Sequence, residues 1–267
     1  MAALHVETQG NGAPLLLIHG WGMHGGVWED VAQKLAANFQ VFCVDLPGYG
    51  LSVGRDSTLR VGELGESPDL ALDAIVGQLS AQFNAPLAVC GWSLGGQIAL
   101  RWAAREPAKV RRLILVTSTP CFRTRPDWPN GMAGEVLAQF AAELEKSHQT
   151  TLRRFISLQL RGSENERELS ILLRERLFSR GEPEMKTLRA GLNILRDADQ
   201  RSELGQIKQP TLVIAGERDK LTPPEASYYL AKAIPHARLV EVKGAAHAPF
   251  LSHPDFFVEQ LKNFLHE

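Results

Sequence analysis

Short, uninterrupted apolar runs recur along the chain, and each stops at a small, polar or acidic residue. Leu15–Ile18 stops at His19-Gly20, Val41–Val44 at Asp45 and Leu87–Cys90 at Gly91. Leu113–Val116 stops at Thr117 and Thr211–Ala215 at Gly216. Continuous rather than alternating apolar runs suit strands buried on both faces, as in a parallel sheet covered by helices. Longer amphipathic segments at 27–37, 69–83, 95–105, 224–233 and 254–266 supply the helical crossovers that parallel strands need. The pattern predicts a doubly wound, mostly parallel α/β sheet. Gly10-Asn11-Gly12 reads as a hairpin turn near the start. Between about 120 and 205 the alternation gives way to helical periodicity, with breaks expected at Pro126, Pro129, Gly162, Gly181 and Pro183. A helical block between two strands of one sheet predicts an inserted cap over 120–205 on a core made of 1–119 and 206–267. Residues 52–68, rich in Ser, Gly and charge, read as an exposed loop.

Composition narrows the classes. The 267 residues are 44% hydrophobic and 22% charged, ordinary globular values, with a formal net charge of −1. That balance argues against a surface built for nucleic acid. Three scattered cysteines, Cys43, Cys90 and Cys121, suit neither a disulfide framework nor a metal cage, and the histidines lack zinc-ligand spacing. No metal and no cofactor are expected. The first residues, Met-Ala-Ala-Leu-His-Val-Glu, lack the features of a signal peptide, and no apolar stretch is long enough to span a membrane. A cytoplasmic monomer is the expectation.

The chemistry gathers where the strands end. Gly91-Trp92-Ser93-Leu94-Gly95 matches Gly-x-Ser-x-Gly. The motif alone is a weak signal, and the strand before it and helix after it strengthen it: such a turn holds the serine hydroxyl out above a sheet. The Leu94 N–H opens the following helix and is placed to meet a developing oxyanion. A serine nucleophile needs a base and the base an orienting acid. His247, in the small-residue loop Gly244–Phe250 after the strand Leu239–Val242, is the candidate base. Asp219 follows its strand through Gly216-Glu217-Arg218, and the order Ser93, Asp219, His247 fits this class of hydrolase. Glu217 is the competing carboxylate; Asp45 reads as a turn-shaping residue. In His19-Gly20-Trp21-Gly22 the glycines let backbone approach a reacting carbonyl, making the Trp21 N–H a second oxyanion donor. Cys43 and Cys90 read as core thiols.

Together these features resemble the α/β-hydrolase superfamily over nearly the whole chain. His19–Gly22, Val44–Gly50, Gly91–Gly96, Gly244–Phe250, Ser118–Phe122 and Arg154–Gln159 are similar to the BioH-type carboxylesterases of biotin synthesis. That family hydrolyses the methyl ester of pimeloyl-acyl-carrier protein. The resemblance implies Ser93 as nucleophile, His247 as base and Asp219 as its partner. It also implies substrate contacts from Trp21, Leu94, Phe155, Ile156, Ser157, Leu158 and Gln159, and an acyl-carrier protein as partner. Between 146 and 201 stand twelve basic against eight acidic residues, a surface able to steer an acidic partner. Arg154 and Arg167 match the family's carrier-docking positions, whereas Thr150 stands where relatives have another Arg. Other readings of the same residues are a broad short-chain carboxylesterase, a carbon–carbon bond hydrolase, and a hydrolase-fold binding protein without activity.

Overall fold

The computed structural model describes residues 3–53 and 67–267. Seven strands form one sheet: β1 (Val6–Gln9), β2 (Ala13–Ile18), β3 (Phe39–Val44), β4 (Leu87–Trp92), β5 (Val110–Val116), β6 (Thr211–Gly216) and β7 (Ala237–Val242). Their spatial order is β1-β3-β2-β4-β5-β6-β7, and every pairing except β1 with β3 is parallel. The crossovers are helices: α1 (Glu29–Leu35), α2 (Pro68–Gln82), α3 (Leu94–Arg105) and α8 (Pro224–Ala233), with α9 (Pro249–Ser252) and α10 (Pro254–His266) closing the chain. α1 packs on α10, and α2 on α3. β4 and β6 are buried along their whole length, which is why both read as unbroken apolar runs. Trp92 meets the buried rings of Trp28 and Phe250 edge-on, and Phe257 stacks on Trp28, so the residue before Ser93 is set in the aromatic core.

One expectation is corrected. Gly10-Asn11-Gly12 does join β1 to β2, but these strands are not paired and no hairpin forms. The turn steps across the start of β3, so close to its backbone that a Cβ on Gly12 would lie 2.5 Å from the Asn38 carbonyl oxygen. Gly12 also has φ +122°, which a larger residue would adopt only under strain. The expected loop at 52–68 lies mostly outside the described residues.

Between β5 and β6 run four helices, α4 (Gly134–Lys146), α5 (His148–Leu160), α6 (Glu166–Phe178) and α7 (Met185–Asp197). Charged groups tie them to the rest. Arg180, just after α6, reaches the wholly buried Asp45 (3.1 Å) and Glu7 (2.5 Å), and Arg176 pairs with Asp30 (2.6 Å). Asp45 also accepts from the Gly25 and Leu51 amides at 2.6 and 2.8 Å. Its burial alone would raise the carboxyl pKa. The Leu51 and Gly25 amides and the Arg180 guanidinium act against that, and the carboxyl stays below its usual value. A second knot is Arg101 of α3, its side chain buried, with both guanidinium edges on carboxylates: Asp73 at 2.6 and 3.0 Å, and Glu203.

Candidate active site

Because six strands are parallel, their carboxyl ends share one edge of the sheet, where open α/β folds collect their sites. Ser93 follows β4, His19 follows β2, Asp219 follows β6 and His247 follows β7. Ser93 is held at φ 55°, ψ −116°, a strained backbone for a non-glycine residue. The strain persists because its surroundings over-determine it. Its N–H donates to the Val116 carbonyl (3.0 Å), and its carbonyl accepts from Gly96 N–H (2.9 Å) and the Ser118 hydroxyl (2.8 Å). Close approach explains the flanking glycine: a Cβ on Gly95 would lie 2.5 Å from the Ile18 carbonyl oxygen and 2.6 Å from that of His19. The elbow of β4 is thereby pressed against the His19–Gly22 turn of β2. A Cβ on Gly20 would stand 3.3 Å from Ser93 Cβ, so this turn borders the serine side chain directly.

His19 shapes that turn and is itself fully buried. Its Nδ1–H donates to the Gly20 carbonyl (2.8 Å) and its Nε2 accepts from Leu46 N–H (3.0 Å), a pairing that requires neutral imidazole. Burial pushes its pKa down to about 4, against a smaller opposing pull from the Gly20 carbonyl and Asp45.

Asp219 and His247 meet at 2.7 Å, Oδ2 to Nδ1, and both are buried. Oδ1 of Asp219 accepts from Leu221 N–H (2.8 Å) and Thr222 N–H (3.0 Å), so the carboxylate is oriented by its own loop. Glu217, the competitor, is turned elsewhere and accepts from Gly244 N–H (2.8 Å) and Lys243 (3.2 Å). The His247 backbone is held from three directions: its carbonyl accepts from Trp92 Nε1 (2.8 Å) and the Thr117 hydroxyl (2.7 Å), and its N–H donates to the Gln159 carbonyl (2.9 Å) of α5. Trp92 thus joins the serine elbow to the histidine loop, with ring centroids 5.7 Å apart. A buried serine on a strained turn, tied through Trp92 to the loop of an acid-oriented imidazole, brings to one sheet edge the side chains that acyl transfer through a covalent serine intermediate uses.

The remaining expected residues divide. The Trp21 indole is buried; Nε1 donates to the Leu188 carbonyl of α7 (2.9 Å) and the ring meets Phe155 and Phe140 edge-on. Its expected oxyanion role therefore rests on its backbone amide. Leu94 is buried at the start of α3. On α5, Ile156 and Gln159 are buried and Phe155, Ser157 and Leu158 half-buried; Ser157 Oγ accepts from Arg174 (2.9 Å). The Gln159 side-chain amide has no hydrogen-bond partner for its nitrogen or its oxygen among the described residues. Arg154 is exposed and pairs with Glu143 (2.8 Å), whereas Arg167 is exposed and makes no ion pair among the described residues. Thr117 and Thr222 were not singled out by the sequence, because a hydroxyl after a strand belongs to no motif.

Among the described residues no three His, Cys, Asp or Glu side chains are gathered to hold a metal ion, and no helix is long and apolar enough to cross a membrane.

Residues 13–254 match the alpha/beta hydrolase fold family. The chain is 43% identical over 258 residues to a pimeloyl-[acyl-carrier protein] methyl ester esterase of Nitrosomonas europaea, covering 97% of this chain and 98% of that one. The protein of the same name from Chromobacterium violaceum is 41% identical over 262 residues, with 98% of each chain covered. Among solved structures, an esterase from Exiguobacterium antarcticum superposes with a TM-score of 0.86 at 22% identity, covering all of both chains. The enol-lactonase of Burkholderia xenovorans does so with 0.83 at 23%, covering 99% of this chain and 96% of that one. At such identities the superpositions speak for the fold, whereas the full-length likeness of the first two proteins speaks for kinship. The chain belongs to the alpha/beta hydrolase fold family, in the branch that holds these esterases.

Proposed function

We propose that this chain is a serine carboxylesterase that cleaves the methyl ester of a pimeloyl group carried on acyl-carrier protein, the step that frees the carboxylate for biotin synthesis. The observation that carries the reaction type is the buried Asp219–His247 pair at 2.7 Å, whose histidine loop Trp92 ties to the strained Ser93 turn. The substrate follows from the full-length likeness to esterases bearing that name.

In this reading Ser93 Oγ attacks the ester carbonyl carbon while His247 Nε2 takes the hydroxyl proton. Asp219 holds Nδ1–H and stabilises the imidazolium. The Leu94 and Trp21 amides meet the oxyanion. The carbonyl–OCH3 bond breaks as His247 returns its proton to the departing oxygen, releasing methanol. Water, deprotonated by His247, then attacks the acyl-enzyme, and Ser93 leaves with the proton. Residues 120–205 act as a cap on a core of 1–119 and 206–267. Phe155, Ile156, Ser157, Leu158 and Gln159 line the acyl path; the unpartnered, buried Gln159 amide supports this, since such groups in folded proteins normally find a partner. Arg154 and Arg167 receive the acidic carrier. Arg167, free of ion pairing among the described residues, contributes more than Arg154, which Glu143 already neutralises. The enzyme is proposed to work as a monomer in the cytoplasm, where a carrier-borne acyl group would be met.

Complementation tests the reading. A biotin auxotroph lacking its methyl esterase is expected to grow without biotin when it expresses this chain and to stay auxotrophic with Ser93→Ala. Failure of the well-expressed wild type to support growth contradicts the assigned substrate.

A further inference from the structure

Asp219 and His247 are held by more than each other. The Thr222 hydroxyl lies 2.7 Å from Asp219 Oδ2, 2.9 Å from the Thr117 carbonyl oxygen and 3.3 Å from His247 Nδ1. Thr117, Thr222, Asp219 and His247 are all buried. A hydroxyl has one proton to give, and the shortest of these contacts is to Oδ2, the oxygen that also receives His247 Nδ1–H. Thr117 braces the arrangement from the end of β5. It sits at φ 39°, a conformation a β-branched residue adopts only when its surroundings impose it. Its carbonyl is within reach of the loop carrying Asp219 through Thr222, and its hydroxyl donates to the carbonyl of His247.

The geometry points to Thr222 as a positioning residue for the hydrolysis: its hydroxyl donates to the carboxylate oxygen that orients His247, and so sets both the direction and the basicity of that oxygen. This rests on the reading of Ser93, His247 and Asp219 as the reacting set. An oxygen shared between two donors pulls less strongly on either. Without the threonine hydroxyl, Oδ2 is more basic and stabilises the imidazolium of the free enzyme more, so His247 becomes the neutral base only at higher pH. The carboxylate is also freer to rotate, which costs turnover rather than binding. The other groups packed on His247 leave this balance to Asp219. The Trp92 ring and the Gln159 carbonyl are uncharged, Glu217 is turned to Gly244 and Lys243, and Arg218 donates to the Gly162 carbonyl (3.0 Å).

The test is the pH profile of kcat/KM for p-nitrophenyl butyrate with wild type, Thr222→Val and Thr222→Ser, with thermal unfolding as the check on folding. In Thr222→Val the acid limb is expected to move up by about half to one pH unit and kcat to fall about tenfold, with KM near the wild-type value. Thr222→Ser, which keeps the hydroxyl, is expected to restore both. Should the valine variant not fold, Thr222→Ala is measured in its place. A folded variant without the hydroxyl whose acid limb stays put overturns the inference, as does a serine variant that behaves like it. Fluorophosphonate labelling of the wild type separates the two claims: a labelled Ser93 with an unmoved limb sinks only the role of Thr222, while an unlabelled Ser93 removes the reading on which it rests.

Discussion

Ser93→Ala is expected to lower kcat for ester hydrolysis by at least about 10³-fold, some 4 kcal/mol of lost transition-state stabilisation, while leaving the fold intact. The reason is positional as much as chemical. Ser93 is the residue that the whole elbow is strained to present, with its backbone fixed by Val116, Gly96 and Ser118. Alanine keeps those backbone bonds and removes only Oγ, so circular dichroism and thermal unfolding remain near wild type as activity disappears. Because the strained φ costs alanine about as much as serine, no large gain in stability is expected either. Turnover within tenfold of wild type in a preparation free of contaminating esterase would contradict the role of Ser93.

Asp45→Ala is expected to be the most damaging single substitution for stability, by about 3–5 kcal/mol. It removes a fully buried carboxylate, strands the Gly25 and Leu51 amides, and leaves the Arg180 guanidinium without its buried partner. Arg180 lies between β5 and β6, just after α6, and Asp45 at the end of β3, so the damage includes the attachment of α6 to the sheet. Thermal unfolding measures it; a change under 1 kcal/mol would show that the pair is dispensable. The same corner makes the protein acid-sensitive. His19 is held neutral by burial with its pKa at about 4, against 6.5 in the unfolded chain. The unfolded state therefore binds more protons between these values, and the contribution of His19, about 3 kcal/mol, is complete above pH 6.5 and lost as pH falls toward 4. The lowered carboxyl of Asp45 adds a loss at still lower pH, since its contribution is present above the ordinary carboxylate pKa and disappears through its own depressed value. Unfolding free energies measured from pH 7 to pH 4 check the slope.

Much of this was written in local pattern. Buried parallel strands cannot alternate in polarity, so β2 to β6 stand out as apolar runs, and the residues ending them are the ones the shared sheet edge gathers. β1 escaped because Val6-Glu7-Thr8-Gln9 is short, polar and at the edge, and its antiparallel partner β3 lies thirty-odd residues away. That non-local pairing is also why Gly10–Gly12 reads as a hairpin turn and forms none. That Ser93, Asp219 and His247 would stand after strands was legible, because each follows an apolar run that ends at small residues. The supports were not. Thr117 and Thr222 act through single hydroxyls, Arg101 reaches carboxylates on two other elements, and Arg180 finds Asp45 across 135 positions of sequence. Such contacts depend on tertiary packing and leave no periodicity behind. The indole of Trp21 shows the converse: its place in the motif was evident, yet its side chain is spent on α4, α5 and α7.

A serine esterase whose substrate arrives on an acidic carrier distinguishes the carried ester from the free one. The direct measurement is kcat/KM for the methyl ester of pimeloyl-acyl-carrier protein beside that for free monomethyl pimelate, at low and high salt, with wild type and Arg167→Glu. Faster cleavage of the carrier-borne ester by wild type is expected, an advantage that shrinks as salt screens the exposed arginines and falls in Arg167→Glu, with the free ester unaffected by either change. Equal rates on the two esters, indifferent to salt and to Arg167, would contradict it.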